Sequence, residues 1–354
     1  MLGGPARLAW FLKSLLPMDS SRKLPPPRLR RILVTGATGF VGSHLLAALA
    51  RTRVSVIGGT RDLERARREQ PDAEFVRFDL KDPRSVRAAL EGCTHAVYLV
   101  HGMGNTDQPY EQAELAAAMT FRGAAEAAGV CRIVYLGGMR PAGSPSRHLR
   151  SRLATGDCLR AGAVTTIELQ ATMVIGSGSE SFRMVRDLAA RLPVMLLPKW
   201  LNSRTQPIGI ADVVYALMQA LRMDVPESRV FTLPGPEILS AREIIKRTAS
   251  LLGRRPFTMQ VPVVTPWLSA HWIRLITRSN AHVATELVEG LRTDILSPDD
   301  GFWQRAPGHR RQSFDDAVRV ALAGEAEELS RVAVLLEEAA EWLTPKDDHA
   351  PATS

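Results

Sequence analysis

The chain has 354 residues, enough for one large or two small domains, and its 45% hydrophobic content is sufficient for a buried core. Its formal net charge of +8 does not indicate a nucleic-acid-binding face, because residues 1–31 hold seven basic side chains against one acid and so account for +6 of it. Three scattered cysteines exclude a disulfide framework and a metal cluster, and they predict a reducing cytoplasmic location with no bound metal.

Residues 1–29 are predicted to form an extension outside the fold. Their apolar patch, residues 8–16, is shorter than the ~20 residues needed to cross a bilayer, and no signal-peptide cleavage site follows it. Two interpretations remain open. The patch is either a helix that contacts a membrane surface or a partner, or part of an unordered segment ahead of a true start at Met18. The basic, proline-containing composition favours the second interpretation.

The next stretch is a short buried strand, Ile32 to Thr35, which turns through three glycines into a helix that begins at Ser43. Such a turn leaves the first N–H groups of the helix free to bind an anion. The spacing G-x-x-G-x-x-G therefore predicts a cradle for the pyrophosphate of a dinucleotide, rather than only a glycine-rich turn. The residues predicted to contact the cofactor here are Gly36, Thr38, Gly39, Phe40, Val41 and Gly42.

From Arg31 onward, predicted strands alternate with helices. The strands are Ile32 to Thr35, Val54 to Gly58, Glu74 to Phe78, His95 to Val100, Arg132 to Leu136 and Thr165 to Ile175. This order predicts an α/β fold, a doubly wound parallel sheet of the Rossmann type. We expect a domain over residues 30–322, with a smaller C-terminal substrate region from about residue 177. A helix and acidic tail follow at 323–354.

The residues after each strand are the candidate ligand contacts, since ligands of such sheets bind at the carboxyl ends of the strands. After the second strand, Arg61 is suited to the 2′-phosphate of NADP, with a solvated surface charge as the alternative. Asp62 is suited to the ribose of NAD or to capping the next helix. Arg61 favours NADP over NAD. After the third strand, Asp79 and Leu80 are placed to meet the adenine, and a turn is the alternative role for Asp79.

At the end of the fourth strand lie Val100, His101 and Gly102, small or polar residues expected beside the cofactor. His101 is either a packed histidine or a proton carrier.

Several motifs together resemble the atypical short-chain dehydrogenase/reductases, and in particular an NmrA-like bacterial branch of NAD(P)-binding proteins. The similarity covers about residues 31–322. A more distant resemblance is to the NAD(P)H-binding accessory subunit of respiratory complex I. The motifs are Thr35-Gly-Ala-Thr-Gly-Phe-Val-Gly42, Tyr98-Leu-Val-His-Gly-Met-Gly104, Tyr135-Leu-Gly-Gly138, His148-Leu-Arg-Ser-Arg152, Gly176-Ser-Gly-Ser-Glu-Ser-Phe182 and Arg204-Thr-Gln-Pro-Ile208.

The resemblance implies a catalytic Ser after the fifth strand and a Tyr-x-x-x-Lys pair on the next helix. This sequence has Gly137 and Gly138, His148 and Arg152 at those places. His148 can carry a proton near neutral pH, whereas Arg152 can hold a ribose or a phosphate but cannot give up its own proton. The alternative is a helix start capped by Ser144 or Ser146 with a basic surface.

The later segments are expected to form the substrate region. Residues 176–181 form a small-residue loop, suited to pass close to the nicotinamide. Asp212 is expected to cap a helix from Val213 to Leu221, and Ser240 with Glu243 forms a capping box. Residues 261–277 are apolar but interrupted by prolines and charges, which favours a pocket wall or lid over a membrane span.

Two functions are consistent with these patterns. The first is an NADPH-dependent oxidoreductase that acts on a hydrophobic small molecule (an activated carbonyl, enone, quinone or imine) without the usual Ser/Tyr/Lys set. The second is a non-catalytic NAD(P)H-binding redox sensor or structural subunit. The sequence names no substrate.

Overall fold

The computed structural model describes residues 30–101, 110–191, 194–261 and 293–327. Its strands are β1 (Arg31–Thr35), β2 (Ser55–Thr60), β3 (Phe75–Arg77), β4 (His95–Tyr98), β5 (Arg132–Gly138), β6 (Thr165–Ala171), β7 (Val174–Ile175), β8 (Val194–Pro198), β9 (Arg204–Thr205), β10 (Ile208–Gly209), β11 (Arg229–Leu233), β12 (Leu239–Ser240) and β13 (Phe257–Val261). Its helices are α1 (Phe40–Leu49), α2 (Leu63–Glu69), α3 (Pro83–Leu90), α4 (Tyr110–Ala127), α5 (Arg147–Arg160), α6 (Glu180–Arg191), α7 (Ile210–Arg222), α8 (Ala241–Leu251) and α9 (Gly301–Gln304). A further helix covers residues 314–327.

The centre of the fold is a seven-stranded sheet in the order β11-β6-β5-β4-β1-β2-β3, in which every neighbouring pair is parallel. This confirms the predicted doubly wound α/β fold. The chain runs outward from β1 to β3 and then returns to place β4 on the other side of β1. Because the winding direction reverses between β1 and β4, their carboxyl ends frame the crevice in which such sheets bind ligands.

Two details of the sheet differ from the sequence prediction. The sixth predicted strand is not continuous to Ile175, because β6 ends at Ala171 and Val174–Ile175 pairs instead with β10. The edge strand β11 was not predicted. Its first two residues, Arg229 and Val230, are exposed, so it lacks the buried apolar run that identified the central strands.

The sheet is buried on both faces, because successive side chains of a strand point to opposite sides. In β1, Ile32 and Val34 pack with α1 and α7, whereas Leu33 packs with α3 and α4. Each of the three side chains is 0% exposed. The core therefore consists of two apolar layers that hold the strand ends in fixed positions.

The C-terminal half adds three two-stranded sheets, β7 with β10, β9 with β12 and β8 with β13. The predicted capping box is confirmed at the start of α8, where Ser240 and Glu243 exchange hydrogen bonds. Over the part of the chain described above, no helix is both long and apolar enough to cross a membrane. The N-terminal extension, the predicted lid from residue 262 and the tail beyond residue 327 lie outside the described residues.

The start of β4 carries a buried histidine that makes stability depend on pH. His95 is 0% exposed, and its Nδ1 lies 2.9 Å from Thr94 Oγ1. Burial, and then the Arg132 guanidinium, lowers the pKa of His95 from 6.5 to about 4. As the pH falls, the unfolded chain therefore binds this proton first. The contribution of neutral His95 is complete above the unfolded pKa and is lost from about pH 6.5 toward about pH 4.

We expect His95→Gln to reduce the acid sensitivity of the fold. The loss of unfolding free energy between pH 7 and pH 5 should be about 2 kcal/mol smaller in the variant, because it has no group here to protonate on unfolding. Urea unfolding curves recorded at the two pH values measure this difference. An equal loss in both proteins would contradict the assignment of His95 as a source of acid sensitivity.

Candidate cofactor and active site

The glycine turn after β1 has the conformation that the sequence predicts. Gly36 has φ of +62°, a left-handed conformation that favours glycine, and a Cβ there would lie 3.2 Å from Leu99 O. A Cβ on Gly42 would lie 2.2 Å from Gly36 O, so this position admits only glycine. Gly36 therefore lets the turn close against the end of β4, and Gly42 lets the helix pack against the turn.

The N-terminus of α1 is open. Gly39 is its N-cap, with φ of −81° and ψ of 172°, and no side chain caps the helix. Gly39 is also exposed, whereas Thr38, Phe40 and Val41 are half-buried around it. The first N–H groups of a helix have no acceptor within it, and the helix dipole favours an anion there. The turn thus fits a pyrophosphate, and a side chain at Gly39 would fill the cradle.

A threonine of β1 bonds to the end of β4 and to the segment that leads to His101. The buried Thr35 Oγ1 lies 3.2 Å from Val97 O, to which it donates, and accepts from Leu99 N–H at 3.0 Å. These two hydrogen bonds hold the backbone at the end of β4 in place. Val100, which is half-buried, and His101 follow directly, next to the glycine turn. Gly102, the third residue predicted here, lies outside the described residues.

At the end of β2 lie the two candidate contacts for the adenosine ribose, Arg61 and Asp62, and the structure gives them different roles. Asp62 caps α2, since its Oδ1 accepts a hydrogen bond from Arg65 N–H at 3.0 Å. Arg61 is exposed and, within the described ranges, has no recorded ion pair or hydrogen bond. Asp62 therefore has the capping role, which was one of its two predicted roles, and Arg61 remains available to a ligand.

The end of β3 holds Asp79 and Leu80, both half-buried. Asp79 Oδ1 accepts from Lys81 N–H at 3.0 Å, which is the turn contact expected as the alternative for this residue. Leu80 packs against the apolar layer that contains Phe78 and Val86. Because only one carboxylate oxygen takes part in the turn contact, a turn role and a ligand contact are compatible for Asp79.

The crossing of α5 over the end of β5 explains why Gly138 stands where the resemblance implies a serine. A Cβ on Gly138 would lie 2.5 Å from Leu149 Cδ1 and 3.8 Å from Arg152 Cδ. Arg152 Nη2 donates to Leu136 O at 2.6 Å, and Tyr135 donates its hydroxyl to Arg152 O at 2.9 Å. Arg152 Nε is buried and has no hydrogen-bond partner among the described residues. The contact with Leu136 O therefore anchors the guanidinium through Nη2.

Two histidines meet beside this arginine. His148 lies in the first turn of α5, which Ser146 caps by accepting from Leu149 N–H. Its ring centroid is 6.1 Å from that of His101, with the ring planes tilted by 59°. Burial, and then the positive charges of Arg152 and His148, lowers the pKa of His101 to about 3. The residue as a whole is nevertheless exposed to solvent.

The loop after β7 closes the other side of the cradle. A Cβ on Gly176 would lie 2.8 Å from Phe40 Cζ, and one on Gly178 would lie 3.5 Å from Phe40 Cδ2. Ser179 donates its hydroxyl to Val174 O at 2.7 Å and so holds the loop in place. The small residues of this loop therefore let it lie against the residue that begins α1.

The C-terminal segment reaches the same region. Ala142 N–H, in the loop that leads into α5, donates to Asp294 O at 3.1 Å. A Cβ on Gly143 would lie 3.0 Å from Thr293 Cγ2. Thr293 and Asp294 therefore lie against the loop that leads into α5, a contribution that sequence reasoning missed because these residues are about 150 positions away along the chain.

The prediction that Asp212 caps a helix is wrong. Gly209 is the N-cap of α7, and Asp212 is 1% exposed, inside the first turn. Its carboxylate pairs with His309 Nε2 at 2.7 Å and accepts from Gln312 N–H at 3.1 Å. The His309 ring stacks on Tyr215 with centroids 3.8 Å apart. Asp212 therefore fastens the C-terminal segment to the sheet domain, a contact that local spacing cannot indicate.

Comparison with known proteins agrees with this geometry. Residues 36–163 match a family model described as NAD(P)H-binding. The ceramide reductase of Caulobacter vibrioides is 27% identical over 239 residues, which are 65% of this chain and 73% of that protein.

Two solved structures have a similar fold. The triphenylmethane reductase of a Citrobacter species, in complex with NADP(H), gives a TM-score of 0.66 at 16% identity over 82% of this chain and 99% of that one. An NADPH-dependent quinone oxidoreductase of Escherichia coli gives 0.62 at 16% identity, over 81% and 98%. The chain therefore contains a Rossmann-type domain that matches the NAD(P)H-binding family over residues 36–163, and its fold is similar to that of these two reductases.

Proposed function

We propose that the protein is an NADPH-dependent reductase of a hydrophobic small molecule that carries an activated carbonyl, enone, quinone or imine. The observation that carries the proposal is the meeting of His101, His148 and Arg152 at the edge of the sheet that holds the glycine turn. The names of the similar reductases support this class of reaction. The similarity to the ceramide reductase of Caulobacter vibrioides supports an apolar, lipid-like substrate.

The residues of this chain divide the binding of NADPH among them. The N–H groups at the start of α1, after Gly39, bind the pyrophosphate, and Arg61 binds the 2′-phosphate. Asp79 faces the adenine through its second carboxylate oxygen, and Arg152 holds the nicotinamide ribose with its remaining N–H groups. When bound, the cofactor supplies the hydride.

The two histidines take different parts in handling the proton. His101 is neutral above its lowered pKa of about 3, so it cannot serve as the acid and instead offers one N–H donor and one acceptor nitrogen. His148 is the candidate proton donor, placed in the first turn of α5. Reduction of an activated acceptor demands little of this site, because water can supply the proton once the hydride has arrived.

Alcohol oxidation is expected to be weak. That reaction requires a base beside the hydroxyl whose pKa a nearby cation lowers, as in a tyrosine–lysine pair. The Arg152 guanidinium keeps His101 unprotonated but does not make it a stronger base. Arg152 and the two histidines therefore favour the reductive direction.

Consumption of NADPH with a panel of acceptors tests the proposal. The panel contains ketones, enones, quinones and imines in pairs that differ only in the length of an apolar chain, and it includes lipid-like carbonyl compounds. We expect turnover of activated acceptors with a preference for the longer chains. Robust NADP-dependent oxidation of secondary alcohols that survives His148→Ala would contradict the assignment and indicate an acid or base elsewhere in the pocket, with His101 the first to test.

A second candidate function is cofactor binding without turnover, as in a redox sensor or a structural subunit. One observation favours it: Leu149 and Arg152 occupy the space at Gly138 where a catalytic hydroxyl would stand. Tight NADPH binding with no turnover of any panel member would support this alternative.

The choice of dinucleotide is expected to depend on Arg61. Arg61→Ala should weaken NADPH binding about 10-fold, the effect of losing one exposed charge-assisted contact, and should leave NADH binding nearly unchanged. Fluorescence titration with the two dinucleotides measures both affinities. Arg67→Ala, which removes an equally exposed charge from α2, is the matched control. Equal losses for both dinucleotides would show that another group makes the choice.

A further inference from the structure

The turn after α8 presents two arginines and a phenylalanine to solvent. Gly253, with φ of +70°, ends the helix in a left-handed conformation, and Arg254 N–H donates back to Ala249 O at 2.8 Å. Arg254 and Arg255 are exposed, and Phe257 is 67% exposed, the largest value among the exposed apolar side chains of the described residues. The turn is thus held by backbone hydrogen bonds and by the packing of Leu252, while the side chains of Arg254, Arg255 and Phe257 are exposed.

A third arginine lies at the same end of the adjoining sheet. β8 and β13 are parallel, and Phe257 pairs with Val194. The residues just before each strand therefore meet at one end of this small sheet. Arg191 lies three positions before Val194, and 41% of its side chain is exposed. Its Nη2 lies 3.6 Å from Asp187 Oδ2. We call Arg191, Arg254, Arg255 and Phe257 the basic-aromatic corner.

Arg191 pairs with Asp187, whereas the charges of Arg254 and Arg255 have no neighbouring acid in the chain segment that carries them. Within the described residues, no ion pair is recorded for Arg254 or Arg255, and residues 250–257 contain no acid. Cations beside a solvent-exposed aromatic ring are the combination that binds the interface of an anionic bilayer, where the ring enters the headgroup layer and the cations stay at the lipid phosphates. An acidic protein surface would match the cations but would not require the isolated ring.

We propose that the basic-aromatic corner docks reversibly on the surface of an anionic lipid bilayer. The biological reason for this docking rests on the proposed function, because a reductase of an apolar substrate meets that substrate in a membrane. The contact itself needs neither cofactor nor turnover, so it can be measured separately.

Sedimentation of the full-length chain with vesicles tests the docking. One set of vesicles is pure phosphatidylcholine, and the other contains about one third phosphatidylserine. We expect binding to the anionic vesicles only. The partition coefficient should fall at least about 10-fold in the double variant Arg254→Ser/Arg255→Ser, because each cation near such a surface contributes a few-fold. It should fall about 5-fold in Phe257→Ser, which loses the ring.

Matched controls come from the rest of the chain. Arg67→Ser/Arg68→Ser removes two exposed charges from α2, and Met119→Ser removes a side chain that is 52% exposed on α4. Both should bind vesicles like the parent protein. Equal binding by the parent and the double arginine variant would overturn the proposal and point to the N-terminal extension. A second result would also overturn the proposal: loss of vesicle binding in the double arginine variant together with full binding by Phe257→Ser. Charge attraction to any polyanion would then explain the binding without the ring.

A second measurement separates this proposal from the proposed function. Turnover of a short-chain, water-soluble acceptor is recorded without vesicles for the parent and the Phe257→Ser variant, and we expect equal rates. Absence of turnover combined with the expected vesicle results would refute the reductase and leave the docking surface in place. Normal turnover with no vesicle binding would refute the docking surface alone.

Discussion

Gly39→Val is expected to lower the affinity for NADPH by at least about 100-fold, equivalent to 2.7 kcal/mol. The side chain would occupy the open N-terminus of α1, where the pyrophosphate accepts hydrogen bonds from backbone N–H groups. The fold should tolerate the change. Gly39 has an ordinary φ of −81°, and the new Cβ would lie 3.1 Å from Gly36 O, which requires a shift of only a few tenths of an ångström.

The measurement is a fluorescence titration with NADPH, accompanied by a thermal melt to confirm folding. Gly123→Val is the matched control, because a Cβ on this exposed glycine of α4 would meet no atom within 4 Å. The control should keep the parent affinity. A folded Gly39→Val variant that binds NADPH normally would refute the cradle, whereas the same change at Gly42 is uninformative because its Cβ would lie 2.2 Å from Gly36 O.

His148→Ala is expected to lower the rate of reduction of an activated acceptor by about 10-fold to 100-fold, the usual contribution of a positioned proton donor. NADPH affinity should change little. The loss should be in kcat rather than in KM, since the proton is needed as charge develops on the acceptor and not for binding. Steady-state kinetics at saturating NADPH with the best acceptor of the panel measures the effect.

His101→Ala provides the comparison. Because His101 is held neutral by burial and by the charge of Arg152, we expect its removal to cost less than the removal of His148. Arg150→Ala, on the exposed side of α5, controls for a change of surface charge and should be close to the parent. A normal rate for His148→Ala with a large loss for His101→Ala would reverse the two roles.

The sequence by itself determined the central architecture and the cofactor cradle. Strands β1 to β6 alternate with helical segments, and the apolar stretches of β1, β4 and β5 are buried. This alternation is readable because it depends on residues close together in the chain. The glycine turn is local for the same reason. Gly36, Gly39 and Gly42 act on a single strand-turn-helix unit, so their spacing predicted a conformation that the structure confirms in the positive φ of Gly36.

Other features depended on contacts that sequence spacing does not encode. Asp212 lies near a helix start, which suggested a cap, but its partner His309 is 97 residues further along the chain. The edge strand β11 was missed because an exposed strand lacks the continuous apolar pattern of a buried one. Asp62 was open to two roles until the position of Arg65 N–H showed the capping bond.

The candidate active site combines both kinds of information. The residue types at positions 101, 148 and 152 were evident in the sequence, and the resemblance implied which strand end and helix carry them. Their proximity was decided by the order of β4 and β5 in the sheet and by the packing of α5 across Gly138. The low pKa of His101 also arises only there, because it depends on the burial and positive charge that the folded chain brings to that one ring.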